Sequence, residues 1–199
     1  MEQSTADTTE DHADLEASLT DPDRFGGLFD RHVRSVHRYF ARRASLEDAE
    51  DLTATTFVAA FRARASYNPA AASPRAWLFG IATNQVLHHR RSYARRARAL
   101  DRIATPVRSE LATDLVDGHL DAKALIDAAL ALIGDELRDV VLLIGVTELT
   151  YAECADALRI PIGTVRSRYA RARRELRALI GEPAVNDFAL NSTEERTIG

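Results

Sequence analysis

The chain has 199 residues, 46% of them apolar and 28% charged, with a formal net charge of −4. That length suits one large domain or two small ones. Cys154 is the only cysteine, which excludes an internal disulfide. No N-terminal apolar run resembles a signal peptide and no apolar stretch is long enough to span a bilayer, so a soluble, cytoplasmic protein is expected.

The charge is unevenly spread. Residues 1–23 carry Glu2, Asp7, Glu10, Asp11, Asp14, Glu16, Asp21 and Asp23 with no Lys or Arg. Residues 75–98 carry Arg75, Arg90, Arg91, Arg95, Arg96 and Arg98 with no acid. The overall balance therefore hides basic patches, and patches are what attract nucleic acid.

In chain order, residues 1–20 are acidic and poor in apolar side chains, and read as a mobile tail. Asp21-Pro22-Asp23 looks like a helix start. Phe25, Leu28, Phe29, His32, Val33, Val36, Tyr39 and Phe40 then recur at helical spacing. Ser45 opens a break. Asp48 to Arg64 forms a second helix, with acids in its first turn where the helix dipole favours them. Leu52, Thr55 or Thr56, Ala59 and Ala60 can face inward, with Phe57 and Phe61 a turn apart. Residues 65–73 read as a loop from Asn68-Pro69 and their small residues. Ser73 is a cap and Pro74 a first helical residue.

The third helix, from Pro74, has Trp77, Leu78, Ile81, Ala82 and Gln85 on its inner side and turns basic past Leu87. Tyr93 among arginines suits single-stranded nucleic acid, where rings stack on bases and arginines hold phosphates. His88 and His89 are neighbours, hence about 100° apart on a helix, and have no partner at ligand spacing, so no metal is expected. Residues 101–122 hold Pro106, Gly118 and several acids with weak periodicity, and read as a flexible linker. Helix resumes at Lys123, breaks at Gly134 and resumes over Glu136–Thr147 with an apolar run at Val140–Ile144.

Residues 150–180 read as helix, short turn, helix. Thr150 and Glu153 fit a capping box. Pro161 suits the first turn of a new helix. Ile162, Val165, Tyr169, Ala172, Leu176 and Leu179 share one face of the second helix. With Val165 at zero on a wheel, Gly163, Arg166, Ser167, Ala170, Arg171, Arg174 and Arg177 fall on the sides or back. That face is small and polar at its start and basic along its length, as a DNA major groove requires. After Gly181, residues 182–199 read as a polar tail. No phosphate loop, nucleophile elbow, zinc motif or paired-cysteine site is present. Neither an enzyme, a cofactor nor a small-molecule substrate is therefore expected.

Two blocks together resemble the extracytoplasmic-function sigma factors, the compact group of the bacterial sigma-70 family. Residues 25–98, with LFDRHVRSVHRYF, DAEDLTATTFVAAF and PRAWLFGIATNQVLHHRR, look like the family's sigma-2 domain. Residues 124–180, with LTYAECADALRIPIGTVRSRYARARREL, look like its sigma-4 domain. The resemblance implies an all-α protein of two small domains: a sigma-2-like bundle over 21–100 and a sigma-4-like helix-turn-helix over 123–181. It implies binding to core RNA polymerase (the β′ coiled-coil and β flap) and to promoter DNA, with an anti-sigma factor as a further partner. Asp48, Asp51, Leu52, Phe57 and Val58 match the polymerase-facing motif. Tyr67, Asn68, Arg75 and Asn84, with His88 and Arg91 farther along, match the region that opens and holds the −10 element. Arg166, Ser167, Ala170 and Arg171, with Thr164 beside them, match positions that meet the −35 element. The sequence departs from the family pattern at Ala54-Thr55, often Gln-Glu; at His88, commonly Asp; at Gly80 and Thr83, often basic; at Ile144-Gly145, commonly charged; and at Arg159, frequently Gly. A stand-alone helix-turn-helix regulator would account for residues 124–180 but leave the acidic DAED helix and the basic third helix without a role.

Overall fold

The computed structural model describes residues 2–99 and 122–187, and over that range the protein is helical, with no strands. The helices are α1 (Glu2–Ala17), α2 (Phe25–Ala41), α3 (Leu46–Ala63), α4 (Pro74–Ala99), α5 (Ala122–Leu132), α6 (Asp135–Gly145), α7 (Tyr151–Leu158) and α8 (Ile162–Asp187). Single 3-10 turns at Pro22–Arg24 and Arg64–Ser66 join α1 to α2 and follow α3. Residues 101–121 of the expected linker and 188–199 of the expected tail lie outside the described residues.

Local chemistry sets the boundaries. Asp21 caps the 3-10 turn that holds Pro22, and its side chain accepts the Asp23 N–H. Ser45 caps α3 by accepting the Asp48 N–H, and Ser73 caps α4 by accepting the Ala76 N–H at 3.2 Å. Such caps satisfy donors that a helix start leaves open. The Thr150–Glu153 capping box is complete at α7. Arg159 ends that helix in the left-handed region, at φ 54° and ψ 45°. The Pro161 carbonyl then accepts the Thr164 and Val165 N–H groups at 2.8 and 3.2 Å and starts α8.

Helices α1 to α4 form one bundle around Leu28, Val36, Tyr39, Phe40, Leu78 and Phe79, all fully buried. Helices α5 to α8 form a second, around Leu130, Val140, Val141, Leu142, Leu143, Val165 and Leu176. The bundles pack on each other, chiefly α4 against α7, and their buried side chains make one continuous core. The seam is rich in polar contacts. Tyr39 donates to Asp139 at 3.1 Å, Arg43 pairs with the same carboxylate, and Arg42 pairs with Asp127 at 2.8 Å.

Three expectations change. Residues 2–17 are helical, not a mobile tail. Leu15 is buried, and the buried Asp11 and Asp14 are bonded to Arg31, His32 and Arg24. The inner side of α4 is Leu78, Phe79, Ala82, Thr83 and Val86, while Trp77, Ile81 and Gln85 are only part-buried. The helical backbone of α8 runs to Asp187, past a break at Gly181 with φ 78° and ψ 167°, so residues 182–187 are not yet tail.

Candidate nucleic-acid interface

Helix α8 is held by one face and free on the other. Val165, Tyr169, Ala172 and Leu176 are buried, with Tyr169 edge-on to Tyr151 of α7 at 5.8 Å. Arg166, Ser167, Ala170 and Arg171 are exposed and Thr164 is half-buried. Ile162 and Leu179, counted on the inner face from spacing, are 41% and 40% exposed at the ends of that stripe. Arg171 pairs with Glu175 one turn on, at 2.8 Å. Arg168 bonds Glu136 of α6 and so braces the helix from the side. A duplex approaching this face meets two guanidinium groups, a hydroxyl and a methyl, a set that can hydrogen-bond base edges and phosphates and touch a thymine methyl.

The residues matched to the −10 element gather on α4 and the loop before it. Asn84, His88 and Arg91 are exposed. The Asn68 side chain accepts the Ala70 N–H at 3.0 Å and so closes the loop on itself. The Tyr67 hydroxyl lies 2.9 Å from His12 Nδ1 and donates to the Ala72 carbonyl at 3.0 Å. Its ring is 5.3 Å from that of Trp77. Burial, and the Asp11 carboxylate nearby, push the Tyr67 hydroxyl up to about 12. Arg75 donates to the Thr147 carbonyl at 2.6 Å, and Ser73 donates to Glu153 at 2.9 Å. Gly80 brings α4 close to α7, since a Cβ there would stand 3.3 Å from the Ala157 carbonyl. A groove between the bundles is lined by Asn68, Trp77, Gly80, Ile81 and Asn84 on one wall and by Ala157, Arg159 and Pro161 on the other.

The residues matched to the polymerase-facing motif divide. Asp51 and Val58 are exposed, Val58 by 49%. Asp48 is half-buried; its bond with Ser45 first, then that with His89 at 3.2 Å, hold its carboxyl below the usual range. Leu52 and Phe57 are core residues, 7% and 4% exposed, and Phe57 meets Phe29 edge-on at 4.8 Å. Beside Asp51 and Val58 the surface opens into an apolar groove between α2 and α3, lined by Phe29, Val33, His37, Glu50, Thr53 and Ala54. Phe29 and Val33, which recur at helical spacing with the buried residues of α2, are exposed and part-buried respectively. Their exposure, with that of Val58, leaves an apolar patch of the kind that marks interaction surfaces.

Burial pushes the Cys154 thiol up to about 12, so it serves as a small core side chain. Among the described residues, no group of three His, Cys, Asp or Glu side chains is placed to hold a metal ion, and no helix is long and apolar enough to cross a membrane.

A helical bundle joined to a helix-turn-helix with an exposed arginine face is the architecture of a DNA-binding protein. Residues 28–96 match the model of Sigma-70 region 2, and residues 123–176 match that of Sigma-70, region 4. The chain is 31% identical over 183 residues to the probable RNA polymerase sigma-C factor of Mycobacterium bovis, covering 87% of this chain and 95% of that one. Among solved structures, it is similar to CnrH in complex with the cytosolic domain of CnrY, with TM-score 0.61 and 26% identity over 87% of this chain and 96% of that one. It also shares the fold of the sigma factor RpoE of Bartonella quintana, solved in complex with the anti-sigma factor NepR. That likeness has TM-score 0.65 and 24% identity over 79% of this chain and 96% of that one. The chain belongs to the sigma-70 family of RNA polymerase sigma factors, within its extracytoplasmic-function group.

Proposed function

We propose that this sigma factor meets core RNA polymerase through the α2–α3 groove, reads the −35 duplex with α8 and captures the −10 strand with α4 and loop 67–72. The observation that carries the reading is the division of α8. One face buries Val165, Tyr169, Ala172 and Leu176 in the core, and the opposite face leaves Arg166, Ser167, Ala170 and Arg171 exposed among the described residues, with Arg171 paired only to Glu175 of the same helix. A helix so mounted can enter a groove without unfolding its domain. Polymerase binding falls to Asp51 and Val58 with the neighbouring apolar groove, Leu52 and Phe57 supporting that surface from behind, and Asp48 holding the start of α3. Residues 21–100 and 123–181 then act as the polymerase- and −10-binding domain and the −35-binding domain. The work is binding and strand separation and needs no catalytic side chain. It places the protein in the cytoplasm with the chromosome. An anti-sigma factor fits the same apolar α2–α3 groove, in competition with polymerase.

Run-off transcription with purified core polymerase tests the reading, on promoters selected from a random library, comparing the native chain with Arg166→Ala/Arg171→Ala. Specific initiation that the double variant loses is the expected result. Retention of DNA without any initiation would instead mark a regulator that works apart from polymerase.

A further inference from the structure

Helix α1 lies wholly before the matched region 2, which begins at residue 28, yet it is fastened on two sides. On one side Asp11, fully buried, accepts from Arg31 Nε at 2.7 Å and faces His32 Nε2 at 2.6 Å. Asp14 takes Arg31 at 2.6 Å and Arg24 at 2.7 Å. Charge-assisted bonds of this kind hold geometry more tightly than neutral ones. Gly27 permits the approach, since a Cβ there would stand 2.2 Å from Asp14 Oδ2. On the other side is His12. Its ring lies 5.6 Å from that of Tyr67, with Nδ1 2.9 Å from the hydroxyl. A hydroxyl carries one proton. With that proton on the Ala72 carbonyl, the oxygen is left to accept from His12 Nδ1–H. One oxygen thus ties the two ends of loop 67–72 to each other and to α1.

We propose that His12 is a positioning residue for promoter opening: it holds the Tyr67 hydroxyl, and through it loop 67–72, in the shape that receives an unstacked base of the −10 strand. The proposal rests on the assignment of that loop to −10 capture. The chain of contacts is short and directed. Arg31 and His32 fix Asp11, the neighbouring His12 is thereby fixed, and Tyr67 follows. A loop held in its receiving shape loses less conformational freedom on binding. A loop released from His12 spends part of its time in other shapes and binds more weakly by that fraction.

The test uses full-length His12→Ala, His12→Gln, Tyr67→Phe, Tyr67→Ala, Asn84→Ala and His12→Ala/Tyr67→Phe, each assembled with core polymerase. Three affinities are measured: for a single-stranded oligonucleotide carrying the −10 sequence of a selected promoter, for a −35 duplex, and for core polymerase. His12→Ala is expected to weaken single-strand capture about threefold to tenfold, the worth of one hydrogen bond, with the other two affinities unchanged. His12→Gln retains an N–H donor and should recover most of the loss. Adding His12→Ala to Tyr67→Phe should weaken capture no further. Native capture by His12→Ala, while Tyr67→Ala and Asn84→Ala weaken it, would overturn the role of His12 and leave the loop assignment standing. Native capture by all three would overturn that assignment itself. An equal loss of all three affinities, with a lower melting temperature and no recovery by Gln, would reduce His12 to a structural residue and overturn the proposal.

Discussion

On α8 the candidate DNA contacts stand in solvent on a helix whose other face is buried, whereas on α4 and its loop several of them are already engaged within the chain. Arg75 is bonded to the Thr147 carbonyl and Tyr67 to His12 and Ala72, while Gly80, not itself a candidate contact, lets α4 approach the Ala157 carbonyl of α7. The difference separates two kinds of readiness. Duplex binding on the open face of α8 would ask little of the protein, only that the exposed Arg171–Glu175 pair yield. A strand entering the groove between α4 and α7 must displace α7 or exchange partners with it. Beside the shared apolar core, the seam carries the Tyr39–Asp139 hydrogen bond and the Arg42–Asp127 and Arg43–Asp139 pairs, and interfaces between domains of one chain commonly resemble those of transient complexes.

The largest effects should come from breaking the support under each face. Tyr169→Ala removes a buried ring from the inner side of α8 and should cost about 3–5 kcal/mol in denaturant unfolding. Arg166→Ala/Arg171→Ala, on the outer side, should leave unfolding within about 0.5 kcal/mol of native while weakening −35 duplex binding by roughly 2–4 kcal/mol. If the double variant also melts early, the two sides of α8 are not independent and the contrast with α4 fails.

At the seam, Asp139→Ala leaves Arg43, whose side chain is 2% exposed, with only the more distant Asp135 carboxylate at 3.8 Å, and should cost about 3 kcal/mol. Burial pushes the Asp139 carboxyl above its ordinary 3.8, against the pull of Arg43 and the Tyr39 hydroxyl bond; Asp135 adds to the rise and Arg90 opposes it. A carboxyl raised on folding binds more protons folded than unfolded. Its contribution therefore falls as pH rises from the ordinary value through the raised one. Melts across that window should show this downward contribution, and Asp139→Asn should remove it.

A smaller perturbation tests whether the groove opens. Trp77 is the only tryptophan in the chain and lines the groove, so its emission reports on α7. Gly80→Leu places a side chain against the α7 backbone, where even a Cβ would be tight. It should shift Trp77 emission to longer wavelength and strengthen single-strand binding about twofold to fivefold, as a closed population is lost. Unchanged emission with unchanged binding would mean that the groove already admits the strand as it stands.

The helix-turn-helix was legible because its signals are local. Thr150 with Glu153, Pro161 and the stripe through Val165, Tyr169, Ala172 and Leu176 each lie within one or two turns of what they control, and the structure keeps all of them. Helix α1 was not legible, because apolar periodicity is blind to it. It buries one leucine, and its docking depends on Asp11 and Asp14 meeting Arg31 and His32 from another helix. On α4 Trp77 and Ile81, read as inner-side residues, pack against the core but stay part-buried, for a related reason. The wheel counts apolar residues but does not distinguish the bundle core, filled by Leu78, Phe79 and Ala82, from a groove shared with α7. Helical spacing likewise did not separate Phe29, which rims an open surface, from its buried neighbours Phe25 and Leu28.

Arg159 offers the smallest and sharpest change. Its φ of 54° lies where a side chain costs roughly 1–2 kcal/mol relative to glycine. The helix end around it is otherwise well made, with the Ile160 N–H reaching back to the Ala155 carbonyl at 3.1 Å. Arg159→Gly should therefore stabilise by about 0.5–1 kcal/mol after the extra freedom of the unfolded glycine is counted. Arg159→Ala keeps the strain, drops the charge and should leave stability nearly unchanged. Measuring both against promoter DNA separates backbone from side chain. If Gly stabilises while Gly and Ala weaken binding alike, the guanidinium at the mouth of the groove is a DNA contact, and strain in the turn is the cost of keeping it. If binding is indifferent to both, the strained arginine has no part in recognition, and α8 alone carries the positive charge that the −35 element meets.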